Sequence, residues 1–417
     1  MTDLWSVDDA LNRILQEVAP LPAERVALPD SLNRVLAEDI RAEVNLPPFA
    51  NSSMDGYAVR AADVTGASRD HPVSLKASMD IPAGAAPERL LCQGEAARIM
   101  TGAPLPPGAD TVVPVEQTDG RWTPGGHETL PSTVQIYRSA QPGENVRQIG
   151  EDIRAGHVVL AAGTLLRAQE IGVLASLGYM YVPVIRQPRV AILSTGDELV
   201  DLDQPQPPGK IRDSNGYTLA ALVQTYHGFP IRLPIARDNL EDVRRRFHEA
   251  LEQHPDLILS SAGVSVGAFD VVRAVLDELG KIEFWRINLR PGKPLAYGSI
   301  QGVPFFGLPG NPVSAMVTFD IFVRPVLCRM GSRAEHTPTI DVITGEDIRS
   351  DGRRSYLRVK LTPHENGQLI AHLTGTQSSG VLTSMVQADG LLIVPEGLTH
   401  VPAGSPLPVR LLRYINQ

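Results

Sequence analysis

Residues 189–198 read RVAILSTGDE, an apolar run that leads directly into a small, polar turn with a glycine. A short apolar run bounded by such a turn is typical of a buried strand. The same pattern returns at 256–260 (DLILS) and at 303–307 (VPFFG). The spacing of apolar residues predicts helices between and after these strands, at 215–227, 240–252, 270–279 and 313–328. Strands that alternate with such helices predict a three-layer α/β/α domain over residues 188–330, with a mostly parallel sheet.

The chain before this domain, residues 1–187, has a different pattern of apolar and turn-forming residues. Ser6 precedes apolar residues at helical spacing and predicts the cap of a first helix. We also expect a second short helix after Asp30. From about 46 to 147, short apolar runs alternate with Gly/Pro turns, and the apolar residues do not recur at helical spacing. This pattern predicts a β module inserted into a composite N-terminal region.

The C-terminal region, residues 331–417, is again rich in β-type patterns. Residues 355–373 alternate apolar and polar side chains around Asn366-Gly367, a strong hairpin signal. Further short strands are predicted at 381–386, 391–394 and 407–412, which suggests a small β-barrel. The fold class is therefore a multidomain α/β plus β protein.

Composition excludes several classes of protein. The chain has 417 residues with 38 basic and 47 acidic side chains, 43% apolar residues, 36 glycines and 35 prolines. These values exclude a disordered tail, a coiled coil, a collagen-like repeat and a generally basic nucleic-acid binder. Cys92 and Cys328 belong to no CxxC pair, which favours a reducing compartment. The N-terminus lacks a signal-peptide pattern, and no apolar run reaches the roughly 20 residues of a membrane helix, so we expect a cytoplasmic protein without a membrane segment.

Ligands of open parallel sheets bind outside the carboxyl ends of the strands. Five loops that follow the predicted strands contain small, charged or Gly/Pro-restrained residues: STGDE (194–198), ARDN (236–239), SAGVSVGAFD (261–270), RPGKP (290–294) and LPGNP (308–312). We therefore expect a binding site where these loops meet.

The residue types in these loops indicate an anionic ligand. Several of them allow close backbone approach or carry positive charge: Gly263, Gly267, Arg290, Lys293, Gly310 and Asn311. Gly310 and Asn311 precede a predicted helix, whose N-terminal amides favour phosphate. Neither GxxxxGK[ST] nor GxGxxG occurs, so the phosphate is not held in either standard nucleotide manner.

Acidic residues occur in the same loops, at Asp197, Glu198, Asp238 and Asp270. Carboxylates near phosphates normally recruit Mg²⁺. For Asp270, helix capping is an equally good explanation. No HExxH motif or Cys/His cluster indicates zinc.

Residues 263–267 (GVSVG) match the G-x-S-x-G nucleophile elbow of serine hydrolases, which would make Ser265 a nucleophile. The elbow requires the serine directly between strand and helix. Here the loop is too long, and the first downstream histidine, His336, lies outside the α/β region. Hydrolysis by Ser265 is therefore disfavoured.

Motifs along the whole chain resemble the molybdenum insertase family of molybdenum-cofactor biosynthesis, which includes bacterial MoeA proteins and the gephyrin E domain. The motifs are PPFANSSMDGYAVR (47–60), IMTGAPLPPGADTVVPVE (99–116), GED (150–152), STGDEL (194–199), SAGVSVGAFD (261–270), RPGKP (290–294) and GLPGNPVSA (307–315). Molybdopterin adenylyltransferases share only the central domain. The N-terminal SMDGYA block and the C-terminal barrel favour the insertase.

The resemblance implies an enzyme that inserts molybdate into adenylylated molybdopterin, with Mg²⁺-dependent cleavage of the pyrophosphate link and release of AMP. It implies a homodimer whose site combines the central domain of one subunit with N-terminal residues of the other, and a molybdopterin adenylyltransferase as upstream partner. By matching motif positions, the candidate catalytic residues are Asp55, Thr101, Asp152, Glu198, Asp238 and Asp270. The candidate substrate- or anion-binding residues are Gly263, Ser265, Gly267, Arg286, Arg290, Lys293, Pro309, Gly310, Asn311, Pro312, Arg358 and Ser379.

The chemistry of these residues agrees with the roles that the resemblance implies. Arg286, Arg290 and Lys293 would neutralise the pterin phosphate, molybdate or both, while Glu198 and Asp270 would hold Mg²⁺. Asp55 and Thr101 would orient an attacking water or a molybdate oxygen, or else merely form turns before glycines. Arginines at 286 and 290 replace lysines that are common in the family, and Ala262 replaces a glycine. A non-catalytic scaffold that binds peptides on the same fold is the alternative function.

Overall fold

The computed structural model describes residues 4–120, 129–261, 269–335, 339–365 and 367–412. The chain forms two compact units. The first consists of Met1–Val26, Asn33–Ala37 and Pro183–Gln417, and the second of Ala27–Leu32 and Glu38–Val182. The N-terminal helix thus groups with the central domain, whereas the division into domains at 187 and 330 stays a prediction.

The α-helices of the first unit are Val7–Gln16, Ser214–Thr225, Leu240–Glu252, Phe269–Leu279, Pro312–Thr318, Arg324–Met330 and Thr383–Gln387. A π-helical segment, Phe319–Val323, lies between two of these helices. Most of these bounds agree within two residues with the helices that the apolar spacing predicts.

The central sheet has six strands. Their order across the sheet is Phe229–Arg232, Arg189–Ser194, Leu257–Ser261, Val303–Leu308, Pro294–Ile300 and Gly280–Arg286. The first four strands run parallel, and the last two run antiparallel to their neighbours. The prediction of a mostly parallel sheet is confirmed, although the sequence pattern missed the strand Pro294–Ile300.

Side chains of the sheet alternate between two cores. Val190 packs on the face that carries the helices Val7–Gln16 and Ser214–Thr225. Its neighbour Ala191 points to the opposite face, against the helix Leu240–Glu252. Because successive side chains of a strand point to opposite faces, both faces must be covered, and the predicted three-layer α/β/α architecture is confirmed.

The first helix begins where its sequence predicts. The Ser6 side chain accepts a hydrogen bond from the Asp9 amide, 3.0 Å away, so it satisfies one of the free amides of the first turn. Val7, Ala10 and Ile14 are buried along one face. The second helix predicted after Asp30 is wrong, because a short 3₁₀ turn ends at Ser31.

The C-terminal region forms the predicted small barrel. Its five strands are Thr339–Thr344, Arg354–Pro363, Leu369–Leu373, Gly390–Val394 and Pro406–Leu411. Each of them pairs with two of the others, so the sheet closes. The predicted strand 381–386 is wrong: Thr383–Gln387 is helical, with Met385 buried and Val386 76% exposed.

The second unit contains the inserted β module. Its five-stranded sheet has the order Thr111–Pro114, Gly56–Val59, Glu95–Ile99, Val73–Ile81 and Thr133–Ile136. Shorter strands within the unit are Ile40–Arg41, Asn51–Ser52, Val146–Arg147 and Val158–Leu160, and its helix is Ala168–Ser176. The pattern of short strands and turns therefore predicted this module correctly.

A charged capping box begins the helix Ala168–Ser176. The Glu170 carboxylate accepts from the Arg167 amide at 2.9 Å and pairs with the Arg167 guanidinium. This guanidinium is the main reason that the pKa of Glu170 is lowered from 4.5 to about 2.

We expect Glu170→Gln to lower the urea midpoint of unfolding at pH 7, because the charged pair is lost. A depressed carboxylate pKa stabilises the folded state above the unfolded pKa, and this contribution disappears as the pH falls from about 4.5 to about 2. The midpoints of the variant and the wild type should therefore converge over that interval. A gap that persists at pH 2 would contradict the assignment of the stabilisation to charge.

Candidate active site

The carboxyl ends of the central strands lie at one edge of the sheet. Ser194 is in register with Ser261, and Ser261 with Leu308. Arg286 is paired with Pro294 at the end of the antiparallel strands. The structure therefore brings together the described loops at 194–198, 290–294 and 308–312, as the alternation of strands and helices predicts.

A cavity of about 920 Å³ lies among these loops. Predicted site residues that line it are Glu198, Arg290, Lys293, Pro309, Gly310, Asn311, Pro312 and Ser379. Residues that no sequence pattern singled out also line it, including Arg212, Asn215, Arg353 and Ser378. This volume lies at the upper end of the range of about 300–1,000 Å³ that is usual for ligand pockets, so a nucleotide-sized ligand fits.

The wall of the cavity carries more positive than negative side chains. Its cations are Arg212, Arg290, Lys293 and Arg353, and its carboxylates are Glu198 and Asp213. Asp213 is buried, and it accepts the Gly216 amide at 2.9 Å as the cap of the helix Ser214–Thr225. The cations therefore outnumber the exposed acid, and the cavity suits an anion although the whole chain has a net charge of −9.

Lys293 is the cation in this wall that is freest to bind a ligand. Its carbonyl accepts the Ile287 amide at 2.8 Å, which fixes its backbone. The side chain is half-buried, and no hydrogen bond or ion pair joins its ammonium to any part of the chain that the structure describes. A half-buried ammonium without a partner is well placed to attract a phosphate or another oxyanion.

Arg290 and Arg353 share one carboxylate at the rim of the cavity. The Asp351 carboxylate lies 3.0 Å from Nε of Arg353 and 3.8 Å from NH1 of Arg290. Mainly because of Arg353, the pKa of Asp351 is lowered below its usual 3.8, so the group stays charged at neutral pH. Asp351 therefore competes with an anionic ligand for these two cations.

We expect Asp351→Asn to lower KM for an anionic substrate about two- to threefold at low salt, with a smaller effect at high salt, since it removes a competing charge. Steady-state kinetics at two ionic strengths measures this change. Asp347→Asn is the matched control, because Asp347 is an exposed barrel residue that bonds the Ala403 amide. Equal effects of the two substitutions would show that only the net charge matters. Because the pKa of Asp351 is lowered by Arg353, wild type should behave like the variant only in acid stronger than an ordinary aspartate needs for protonation.

Glu198 lies in an exposed turn directly after the sheet strand Arg189–Ser194. A Cβ atom on Gly196 would lie 2.6 and 2.7 Å from the two Glu198 carboxylate oxygens. The carboxylate therefore folds back over the Gly196 backbone, which has φ +150°. Only a residue without a Cβ leaves room for this arrangement.

Asp238 lies beside the same turn rather than in the cavity wall. Its carboxylate accepts the Asp197 amide at 3.3 Å, and the Asp197 carboxylate accepts the Asp238 amide at the same distance. Oδ1 of Asp238 is buried without a hydrogen-bond partner in the described structure. These bonds hold the loops 194–198 and 236–239 together.

The described residues contain no group of three or more His, Cys, Asp or Glu side chains suited to a metal ion. Mg²⁺, however, usually binds one or two carboxylates and keeps several waters. The exposed Glu198 carboxylate and the unpartnered Oδ1 of Asp238 are oxygen donors of the required kind. The residues present therefore fit Mg²⁺.

Several predicted site residues lie outside the part of the chain that the structure describes. Residues 262–268 lie outside the described ranges, and they include Ala262, Gly263, Ser265 and Gly267. The G-x-S-x-G match lies there as well. Asp270 belongs to the helix Phe269–Leu279.

Hydrogen bonds join the LPGNP loop and the helix residue after it to neighbouring segments. The Val313 amide donates to the Ser379 carbonyl at 3.1 Å. Asn215 donates from Nδ2 to the Gly310 carbonyl and to Ser261 Oγ, both at 2.8 Å. Because Val313 is already bonded and Pro312 has no N–H, the helix start offers fewer free amides than its sequence suggests.

Two predicted anion-binding arginines do not line the cavity. Arg358 is 1% exposed and donates to Ser384 Oγ at 3.1 Å and to the Ser378 carbonyl at 3.0 Å. It thereby supports the loop that carries Ser379. Arg286 is exposed at the end of its strand, and its carbonyl accepts the Trp5 amide.

The second unit holds the remaining candidates. Oδ1 of Asp55 accepts both the Thr101 amide at 2.7 Å and Thr101 Oγ1 at 2.8 Å. These two residues, 46 positions apart, therefore form one polar group. Asp152 is exposed, and its amide donates to the Leu46 carbonyl at 3.0 Å.

Along the described ranges, no helix has the length and apolar character needed to cross a membrane. Family models match three consecutive parts of the chain: the MoeA N-terminal region (domain I and II) at 5–178, a probable molybdopterin binding domain at 191–329, and the MoeA C-terminal region (domain IV) at 341–412. Together these models match well over half of the sequence.

Relatives of known name match over nearly their whole length. A molybdopterin molybdenumtransferase from Nostoc sp. is 39% identical, with 98% of this chain and 94% of the relative covered. That of Haemophilus influenzae is 34% identical, with 99% and 100% covered. A solved structure of the molybdopterin biosynthesis MoeA protein from Pyrococcus horikoshii is 33% identical, with a TM-score of 0.81 over 99% of this chain and all of that one. The chain therefore belongs to the MoeA family of molybdopterin molybdenumtransferases, enzymes of molybdenum cofactor biosynthesis.

Proposed function

We propose that the chain transfers molybdenum from molybdate to adenylylated molybdopterin, with cleavage of the pyrophosphate link and release of AMP. The observation that carries this proposal is the cavity of about 920 Å³ whose wall contains Arg212, Arg290, Lys293 and Arg353. Both substrates are anions, and a net cationic wall favours their binding. The names of the relatives support molybdopterin as the acceptor.

Lys293 and Arg290 bind the phosphates or the molybdate in this proposal. The Arg353 guanidinium donates to the Leu289 carbonyl at 3.1 Å, so it also supports the backbone that carries Arg290. Glu198 and Asp270 would hold Mg²⁺, with the unpartnered Oδ1 of Asp238 as a further oxygen donor, and the ion would supply positive charge to offset that of the pyrophosphate. The protein groups thus position the substrate while positive charge offsets the charge that develops as the P–O bond breaks.

Asp55 and Thr101 orient the attacking oxygen. Thr101 binds Oδ1 of Asp55 through both its amide and its hydroxyl, so the carboxylate is held in one orientation. A carboxylate fixed in this way can position a water or a molybdate oxygen for in-line attack. Asp152 and Asp238 are further catalytic candidates.

The deciding experiment measures AMP release from adenylylated molybdopterin with molybdate and Mg²⁺. Wild type should release AMP, and Asp55→Ala should release it far more slowly. Release by wild type no faster than without protein would reject the enzymatic proposal in favour of a non-catalytic scaffold, whereas equally rapid release by both proteins would reject only the role of Asp55.

We further propose a homodimer in which Asp55 and Thr101 of one subunit serve the cavity of the other. Asp55→Ala and Lys293→Met are each expected to be inactive as homodimers. Mixed and reassociated, they should regain about a quarter of wild-type activity in a random mixture, because half the dimers are mixed and each mixed dimer holds one intact site. No recovery in a mixture that demonstrably contains mixed dimers would exclude the shared site. The substrate would come from a molybdopterin adenylyltransferase in the cytoplasm, in keeping with two cysteines that form no disulfide.

A further inference from the structure

The turn that carries Glu198 is held by cations rather than by backbone pairing alone. NH1 of Arg237 donates to the Asp197 carbonyl at 3.4 Å and to the Leu199 carbonyl at 3.2 Å. These carbonyls flank Glu198 on either side. Lys210 also donates to the Asp197 carbonyl.

We propose that Arg237 is a positioning residue that sets the place of the Glu198 carboxylate by bonding the peptide groups on both sides of it. This inference rests on the proposed function, in which Glu198 acts at the pyrophosphate.

The backbone of Arg237 is anchored at several points on both sides of the residue. Its amide donates to Oδ2 of Asp242 at 2.7 Å, and its carbonyl accepts the Asn239 amide at 2.7 Å. The preceding residue, Ala236, donates to the Ser194 carbonyl at 2.9 Å and accepts the Gly196 amide at 3.1 Å. The guanidinium therefore extends from a fixed point next to the end of the strand Arg189–Ser194.

One terminal nitrogen of arginine carries two hydrogens, so it can serve two acceptors at once. Here the acceptors are two residues apart, and the peptide path between them carries Glu198. Loss of the guanidinium would leave the Lys210 bond to the Asp197 carbonyl, the Ile211 bond to the Glu198 carbonyl and the paired Asp197–Asp238 bonds. Arg237 adds to these bonds a single group that joins the carbonyls on both sides of Glu198.

Arg237 lies outside the wall of the cationic cavity. It lines a separate cleft of about 560 Å³, together with Arg245. Its removal leaves Arg290 and Lys293 in place to bind the substrate phosphates. Loss of Arg237 should therefore lower kcat while KM stays nearly unchanged.

The test compares Arg237→Gln with Arg237→Lys and with the control Arg245→Gln, whose guanidinium pairs with Asp242 instead of the turn. We expect Arg237→Gln to lower kcat for AMP release about tenfold while KM for adenylylated molybdopterin changes less than about twofold. Arg237→Lys keeps a cation with several donors and should recover most of the loss. Arg245→Gln should retain wild-type kcat.

A second readout needs no catalysis. The Ile211 amide donates to the Glu198 carbonyl at 2.8 Å, so its hydrogen exchange reports opening of the turn. Exchange in peptides that contain Ile211 should quicken in Arg237→Gln and stay unchanged in Arg245→Gln. Equal kcat in these two variants, or equal exchange, would overturn the inference. If wild type released no AMP, the proposed function would fail, whereas the exchange comparison would still decide whether Arg237 restrains the turn.

Discussion

Lys293→Met should lower kcat/KM for AMP release about 100- to 1000-fold, the loss usual when a charge-stabilising donor is removed from an enzyme site. The ammonium is half-buried in the cavity wall and has no bonding partner in the described part of the chain. Its positive charge is thus available to the ligand. Methionine keeps the length and apolar stem of the side chain but removes the charge. Single-turnover kinetics with adenylylated molybdopterin measures the effect.

Because no protein bond is lost, Lys293→Met should fold normally, with a free energy of unfolding within about 0.5 kcal/mol of wild type. Lys360→Met is the control, since Lys360 is exposed on a barrel strand and lines no part of the cavity. It should keep wild-type kinetics. A fall of less than about threefold in Lys293→Met would show that the ammonium does not contact the reacting phosphates.

Gly196→Ala should lower kcat about 100-fold, because a displacement of about 1 Å at a reacting group commonly costs that much. The new methyl group would lie 2.6 Å from a Glu198 carboxylate oxygen, so the carboxylate must move. The φ of +150° adds backbone strain, and we expect a loss of about 1–3 kcal/mol in unfolding free energy. Steady-state kinetics and urea denaturation measure the two effects separately.

Gly302→Ala is the control that introduces backbone strain without displacing the Glu198 carboxylate. Gly302 also has a positive φ, +85°, but a Cβ there would meet nothing within 4 Å. This variant should lose stability while it keeps kcat. If Gly302→Ala lost activity to the same extent, general destabilisation rather than the position of Glu198 would explain the Gly196 result.

Much of the central domain could be predicted because its signals are local. The apolar runs RVAIL, DLILS and VPFFG are strands buried on both faces, and such strands read as continuous hydrophobic segments. Once a parallel sheet is predicted, the rule that ligands bind at the carboxyl ends places Glu198 and Lys293 at one edge. The same rule predicts a ligand site at this edge of the sheet without any knowledge of side-chain contacts.

The missed residues depend on packing between segments that are distant in sequence. Asn215 acts by joining Ser261 to Gly310, and no local pattern specifies that meeting. The Asp-Ser-Asn sequence at 213–215 is a helix-cap signal that could have drawn attention to it. Arg353 reaches the cavity because the strand Leu289–Arg290 pairs with the start of a barrel strand.

Burial also decides what a charged residue can do. Arg358 has a side chain suited to an oxyanion, yet its guanidinium bonds Ser384 and the Ser378 carbonyl inside the protein. The helix Thr383–Gln387 replaces a predicted strand because Ser384 and Met385 face inward together, a pattern that strand alternation does not allow. Sequence supplies residue types, whereas their partners are fixed only by the tertiary fold.

The bond between the Val313 amide and the Ser379 carbonyl has a consequence for biosynthesis. One wall of the cavity is contributed by residues 377–380, which leave the ribosome after the rest of the lining has been made. A nascent or truncated chain that ends before residue 377 therefore lacks a complete site, even where its central sheet has formed. The order of translation thus delays ligand capture until the final barrel has begun to assemble.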